Sequence, residues 1–256
     1  MDLEHFLRGQ NFPIRQEPEA TSWFQSAPMP DGTRIRCQLD DQETQFTSLG
    51  EMLEFDPGLF SGKRVLDIGA ADGFFSVGAL AAGARDVTAI DCDYVDWPRN
   101  ITSLAAAWNA DVSVLTNDFR VHPFERKYDV VLLLGVIYHL EDPFLAMRNI
   151  SEIMEPGGML VIETQLSGAQ ADLPIFEMAS DIYPTIGDQA IDCVDMVGVS
   201  NFLFPNTLAM KQLAHMYGFE LQQADPSAYS DRFPSRAVFF LRKLGKGERW
   251  IPSDGS

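Results

Sequence analysis

The chain has 256 residues, 46% of them hydrophobic and 22% charged, the composition of a globular protein able to bury one large core. Its 37 acids against 19 Lys and Arg give a net charge of −18 with no basic run, which weighs against a nucleic-acid partner and toward a small or cationic substrate. No apolar run reaches the roughly 18 residues that span a membrane, Met1–His5 lacks the features of a signal peptide, and Cys37, Cys92 and Cys193 are odd in number and lack metal-ligand spacing, so a cytoplasmic protein with reduced thiols and no metal is expected.

Residues 1–60 read as an N-terminal extension. Pro28-Met29-Pro30-Asp31-Gly32 is a turn, Thr33–Cys37 a short strand and Thr47–Leu53 a short helix. The extension either packs over one face of a sheet or caps the active site, with Trp23, Phe24, Arg34 or Arg36 touching substrate.

Residues 61–165 alternate strand and helix, the pattern of a parallel sheet with right-handed crossovers. The run Val65-Leu66-Asp67-Ile68-Gly69-Ala70-Ala71-Asp72-Gly73-Phe74-Phe75-Ser76 reads as a buried strand that breaks into a glycine-containing turn and opens a helix over Phe74–Leu80. Gly69 and Gly73 let the backbone turn sharply and a ligand approach it, and the free N–H groups of the helix point back at the turn. A second strand, Asp86–Asp91, ends in a carboxylate about 20 residues after the turn, where such folds place the acid that binds a ribose diol. Ala71 stands where the dinucleotide pattern G-x-G-x-x-G needs glycine, and there is no P-loop lysine. A ribosyl ligand without a pyrophosphate therefore fits better than a dinucleotide.

Farther along, Ile101, Leu104, Ala105 and Trp108 share one helical face, with Asp96 and Pro98 marking its start. Asp111–Thr116 and the apolar run Tyr128–Leu134 are the third and fourth strands. Asp142-Pro143 caps a helix whose Met147, Ile150 and Met154 face the core, Pro156-Gly157-Gly158 stops it, and Met159–Glu163 is the fifth strand. Residues 166–204, with Pro174, Pro184, Gly187 and Gly198, are too long for a plain connection and predict a functional, substrate-side insertion. Pro205–Tyr217 is a helix with Asn206 or Thr207 near its cap, and Phe219–Gln223 and Ala237–Leu241 are the last strands.

Asp67-x-Gly69-x-Ala71-x-Gly73, then Asp91, then Asn117-Asp118-Phe119, resembles the cofactor site of class I S-adenosylmethionine-dependent methyltransferases, over residues 60–165. Gly135-Val136-Ile137-Tyr138-His139-Leu140-Glu141-Asp142-Pro143, with Asp72–Phe75, Pro205-Asn206 and Arg236-Ala237-Val238, looks like the branch that includes the tRNA wobble-uridine carboxymethyltransferases. The resemblance implies an α/β fold: a Rossmann-like doubly wound sheet of about seven strands, mostly parallel with one antiparallel strand near the edge, in a methyltransferase domain over residues 61–256. It implies S-adenosylmethionine as cofactor and S-adenosylhomocysteine as product. Gly69, Ala70, Ala71, Gly73 and Phe74 would hold the methionine part, Asp91 the ribose hydroxyls, and Asp118 the adenine amino group with Phe119 beside the ring. Asp67 orients the turn or touches the cofactor; Cys92 lines the adenine pocket or is packed; Leu134 and Gly135 complete the cofactor candidates.

Methyl transfer from a sulfonium asks the protein mainly to position two reactants. His139 follows the C-terminal end of the fourth strand and is the candidate general base, since an imidazole suits proton removal near neutral pH; it could also only hydrogen-bond a loop carbonyl. Tyr138 is the candidate contact to sulfonium or substrate, or packs under a lid. Trp23, Phe176, Tyr183, Asn201, Phe202 and Asn206 are the candidate acceptor contacts. The leading reading is methylation of a small molecule, first of all at an oxygen. One alternative is a tRNA wobble-uridine enzyme using carboxy-S-adenosylmethionine, although the long basic N-terminal region of those enzymes has no counterpart here. The other is a non-catalytic partner of the same fold, against which Asp91, Asp118 and the glycine turn speak. The expected partner is a small-molecule substrate, with no membrane, and with a homodimer left open.

Overall fold

A computed structural model of the chain describes residues 1–14, 23–35, 44–92, 97–169, 172–178, 203–228 and 235–245. Two compact units divide the chain, one running to Pro123 and one from Phe124 onward.

The first unit opens with α1 (Leu3–Leu7) and a 3₁₀ turn, then β1 (Ala27–Pro28) pairs antiparallel with β2 (Arg34–Ile35). After α2 (Thr44–Phe55) come β3 (Arg64–Ile68), α3 (Phe74–Ala81), β4 (Asp86–Asp91), α4 (Trp97–Ala107) and β5 (Val112–Thr116). β3 pairs parallel with β4 and β4 with β5, placing Leu66 opposite Thr88 and Ala89 opposite Val114. β3 and β4 are buried along nearly their whole length, which is why their sequences run apolar without alternation. β5 is half exposed.

The N-terminal residues are part of this unit's core. Phe6 is fully buried, with its ring 5.1 Å from Phe74 and 5.3 Å from Trp108. Phe46 of α2 meets Phe74 from another side at 4.7 Å. The Trp108 indole N–H donates to the Pro28 carbonyl at 2.7 Å. A Cβ on Gly78 of α3 would come within 2.6 Å of Leu49, so α2 and α3 approach more closely than a side chain there would permit.

The second unit comprises β6 (Tyr128–Leu134), a 3₁₀ turn over Ile137–His139, α5 (Pro143–Ile153), β7 (Met154–Gln165), β8 (Phe176–Met178), β9 (Leu203–Pro205), α6 (Thr207–Met216), β10 (Phe219–Pro226) and β11 (Arg236–Lys243). β6 and β7 are parallel; β11 pairs antiparallel with β7 on one side and with β10 on the other. β8 and β9 form a separate antiparallel pair. Strands β3 to β7, β10 and β11 belong to one seven-stranded mixed sheet, mostly parallel with β11 reversed, as the resemblance implies.

The capping residues do what their chemistry suggests. Asp142 accepts from the Leu145 N–H at 2.8 Å and Pro143 opens α5; Asn206 accepts from the Ala209 N–H at 2.8 Å and opens α6. Several boundaries differ from expectation: Pro205, expected to begin the last helix, ends β9 opposite Phe176, and α6 starts at Thr207. α5 ends at Ile153, ahead of Pro156-Gly157-Gly158, because Met154 already pairs with Tyr128. The glycines instead make a bulge before Met159 pairs with Val130, Gly157 at φ 81 and Gly158 where a Cβ would lie 2.7 Å from the Asp129 carbonyl. The expected helix over Thr47–Leu53 is longer, as α2. Arg36, Cys37, Asp96, Pro184, Gly187, Cys193 and Gly198 lie outside the described residues.

Phe6→Ala should lower stability by about 3 kcal/mol, because it empties a fully buried site between two aromatic rings. Urea unfolding followed by circular dichroism would measure it. A loss below about 1 kcal/mol would mean that the N-terminal segment is not integral to the core.

Candidate active site

In the first unit, the turn between β3 and α3 is fixed to the end of β4. The Gly69 N–H donates to the Ile90 carbonyl at 2.9 Å, and the Ala71 N–H donates to the Asp91 carboxylate at 2.8 Å. Gly73 adopts φ 83, and a Cβ there would stand 3.0 Å from Ile101 Cγ2 and 3.2 Å from its Cα, so both conformation and the nearness of α4 require glycine. Ala71 is also left-handed, at φ 47, a conformation that costs a residue with a Cβ roughly 1 kcal/mol.

Three buried carboxylates underlie this turn. Asp67, 2% exposed, accepts from the Ser76 hydroxyl at 2.6 Å. Burial raises its pKa to about 7, against the hydrogen bonds from Ser76. Asp72 is fully buried; it accepts from the backbone N–H groups of Phe24 and Gln25 and from the Asn100 amide at 2.8 Å. Burial raises it to about 6. Asp91 accepts from Ala71 on one oxygen and from the Cys92 N–H on the other, each at 2.8 Å, and burial again raises its pKa. The Cys92 thiol lies 3.5 Å from the same Asp91 oxygen.

Asp118 follows β5 and is held differently. Its carboxylate takes a forked set of bonds from Arg120, with Nε at 3.0 and 3.1 Å and Nη2 at 2.8 Å, which lowers its pKa. Phe119 beside it is buried.

These residues fit an adenosyl cofactor on their own chemistry. A ribose diol needs a fixed acceptor, and Asp91 is one at the carboxyl end of β4. A ligand lying against backbone needs residues without bulk, and Gly69, Ala70, Ala71 and Gly73 provide them. Among the described residues no group of three His, Cys, Asp or Glu could hold a metal ion.

In the second unit, Gly135 leaves β6 at φ 72 with its N–H on the Glu163 carbonyl at 2.9 Å, just after Leu134. Tyr138 is buried, and Arg236 donates to its hydroxyl oxygen at 3.2 Å with the guanidinium 5.0 Å from its ring centre. Arg236 also makes two 2.7 Å bonds to Glu163, whose side chain is 5% exposed. Burial works against the Arg236 charge, but Glu163 and Tyr138 more than offset it and raise its pKa. His139 is exposed, with its ring 4.2 Å from that of Tyr138. Phe204 of β9 lies 6.3 Å from Tyr138.

The described acceptor candidates fall in both units, with Phe176 and Asn206 adjacent through the β8–β9 pair. Trp23 is buried in the first unit. Phe176 packs its ring 5.7 Å from Phe144 in the second. Asn206 is committed to structure: its oxygen accepts from Ala209 and Ile175, and its amide donates to the Leu173 carbonyl at 2.8 Å. Tyr183, Asn201 and Phe202 lie outside the described residues. Sequence reasoning did not single out Gln25, Asn100, Glu163 or Phe204, and it met Asp72 and Arg236 only as parts of a resemblance. No spacing links Asp72 to Gln25 or Glu163 to Arg236, 47 and 73 residues apart.

The sequence profile of the family described as "Methyltransferase domain" matches residues 42–224. A tRNA U34 carboxymethyltransferase of Methylococcus capsulatus is 33% identical over 112 residues, 43% of this chain and 35% of that protein. A ubiquinone biosynthesis O-methyltransferase of Cereibacter sphaeroides is 34% identical over 139 residues, 50% of this chain and 51% of that protein. The chain thus spans about half or less of the curated relatives it matches. Among solved structures, the 1,6-didemethyltoxoflavin-N1-methyltransferase of Burkholderia thailandensis, with bound 1,6-didemethyltoxoflavin and S-adenosylhomocysteine, superposes with a TM-score of 0.59 at 18% identity, covering 80% of each chain. The [4+2]-cyclase SpnF gives a TM-score of 0.59 at 16% identity, covering 78% of this chain and 82% of its own. These structural likenesses show the fold.

Two outcomes follow from the buried groups. A carboxyl whose pKa is higher folded than unfolded makes the folded state bind more protons between the two values, so its contribution to stability falls as pH rises from about 4 to about 7. Asp67→Asn should lessen that fall by on the order of 2–4 kcal/mol, read from urea midpoints at about pH 4.5 and about pH 7.5; an unchanged difference would place the Asp67 proton elsewhere. Glu163→Ala removes the carboxylate that takes two bonds from the largely buried Arg236 side chain and should cost about 3–5 kcal/mol in the same unfolding assay.

Proposed function

We propose that this chain, which belongs to the methyltransferase-domain family, is an S-adenosylmethionine-dependent methyltransferase that methylates a small-molecule acceptor at an oxygen, with His139 removing the acceptor proton. The cofactor, when bound, supplies an activated methyl on its sulfonium. The chain's own residues bind, orient and deprotonate. Asp91 would take the ribose hydroxyls, the Gly69–Gly73 turn the methionine part, and Asp118 and Phe119 the adenine.

The observation that carries the proton-transfer role is the Tyr138–His139 pair. An exposed imidazole stands 4.2 Å from a tyrosine ring whose hydroxyl is anchored by an arginine with a side chain 10% exposed. Anchoring Tyr138 gives His139 a fixed, tilted ring to pack against, which limits its rotamers and favours one approach of an acceptor hydroxyl. The net charge of −18 supports a small acceptor over a polyanion. The similarity to an O-methyltransferase supports oxygen as the receiving atom.

A second reading has its own support: the relative that acts as a tRNA U34 carboxymethyltransferase, and a cation, Arg236, beside Tyr138. Native mass spectrometry of the purified chain separates the two. An S-adenosylmethionine or S-adenosylhomocysteine adduct supports the first; a carboxylated adduct supports the second. His139→Ala should lower kcat by about 10²–10⁴ while leaving the Kd for S-adenosylmethionine within about twofold. A parallel loss of both would assign His139 a structural role.

A further inference from the structure

Gln25 lies in the N-terminal segment, outside every motif of the sequence, yet it reaches the turn after β3. Its backbone N–H donates to Asp72, and its side-chain oxygen accepts from the N–H of Phe74, the first residue of α3, at 3.3 Å. Gly73 has no side chain to cap α3, so a residue 49 positions away supplies the cap. The backbone around Gln25 is pinned on both sides. Asp72, fully buried, holds Phe24 and Gln25; the Ser26 carbonyl accepts from the Gln45 amide at 3.0 Å, and the Ser26 hydroxyl donates to the Ile35 carbonyl at 3.1 Å.

The Phe74 N–H is a donor, so the atom of Gln25 facing it is the oxygen. That choice leaves the two N–H groups of Nε2, and among the described residues they meet no protein acceptor. Gln25 is half-buried, so this donor stands at the surface of the turn. Beside it stand Asp72, whose carboxylate accepts from the Gln25 N–H, and the N-terminal end of α3. The amino-acid end of S-adenosylmethionine carries an ammonium and a carboxylate. Acidic surroundings suit the ammonium; the carboxylate needs a donor.

We infer that Gln25 recognises the cofactor, its Nε2 donating to the α-carboxylate of the amino-acid end while its oxygen caps α3. The inference rests on the reading that the cofactor's methionine part lies on the Gly69–Gly73 turn. Gln25 is then a binding residue contributed by the N-terminal segment, and it distinguishes the intact cofactor from its nucleoside fragments.

Gln25→Glu tests this cleanly, because it keeps the oxygen that caps Phe74 and removes the donor. Calorimetric titration of the full chain would use S-adenosylhomocysteine and, in parallel, 5′-methylthioadenosine, which has the nucleoside but no amino-acid end. S-adenosylhomocysteine affinity should fall about 10- to 100-fold, the range of a lost hydrogen bond to a charged group, with 5′-methylthioadenosine affinity unchanged. Gln25→Ala should lose about 10-fold toward S-adenosylhomocysteine. Unchanged S-adenosylhomocysteine affinity in Gln25→Glu overturns the inference. So does an equal loss for both ligands, which would make Gln25 merely structural. If wild-type chain binds 5′-methylthioadenosine as tightly as S-adenosylhomocysteine, the amino-acid end has no site here and the inference fails while the nucleoside site stands. If wild type binds neither, the reading beneath it fails too.

Discussion

The carboxylate of Asp72 is the constraint on which the first unit's site depends. It is fully buried, and the donors that satisfy it come from two other segments: the backbone at Phe24 and Gln25, and Asn100 on α4. A buried carboxylate stripped of those donors would be costly by several kcal/mol, so the turn, the N-terminal segment and α4 are held together by the need to satisfy it. Gly73 completes the arrangement from below, since only the absence of a Cβ lets α4 come that close. The aromatic packing of Phe6, Phe46, Phe74 and Trp108 secures the same segments from the apolar side.

Stability alone does not account for three acids placed beneath one turn. Each is raised in pKa by burial, and Asp91 repels both of the others. A left-handed alanine adds strain beside them. Strain and perturbed acids gather where a fold is shaped for a ligand rather than for its own minimum. The second unit solves a similar problem differently, by giving its buried Arg236 a carboxylate partner with both oxygens engaged.

The seven strands of the large sheet and most helices were legible in the sequence because their causes are local: apolar runs for strands buried on both faces, an Asp-Pro cap, and a helical face of Ile101, Leu104 and Ala105, whereas the short strands β1, β8 and β9 were not. The glycine turn and Asp91 were legible because β3 and β4 are parallel neighbours and the distance between their ends is set by one helix. What stayed hidden depends on contacts remote in the chain. Gln25 and Asp72 meet only where the segment at Phe24–Ser26 lies against the start of α3. Arg236 and Glu163 meet only through the register of β11 on β7, which sets Val238 opposite Glu163. The early end of α5 was hidden for the same reason, since Met154 leaves the helix to pair with Tyr128.

The placement of β11 has a consequence for how the protein is made. β11 lies inside the sheet, between β7 and β10, although it is the last strand among the described residues. A chain emerging from a ribosome completes β6, Tyr138 and β7 long before Arg236 exists. Until then Glu163 is a carboxylate without its guanidinium and Tyr138 a phenol without its anchor. The Glu163–Arg236–Tyr138 arrangement of the second unit therefore waits for β11 to pair with β7, and partly synthesised chains carry Tyr138 and Glu163 without the guanidinium that orders them.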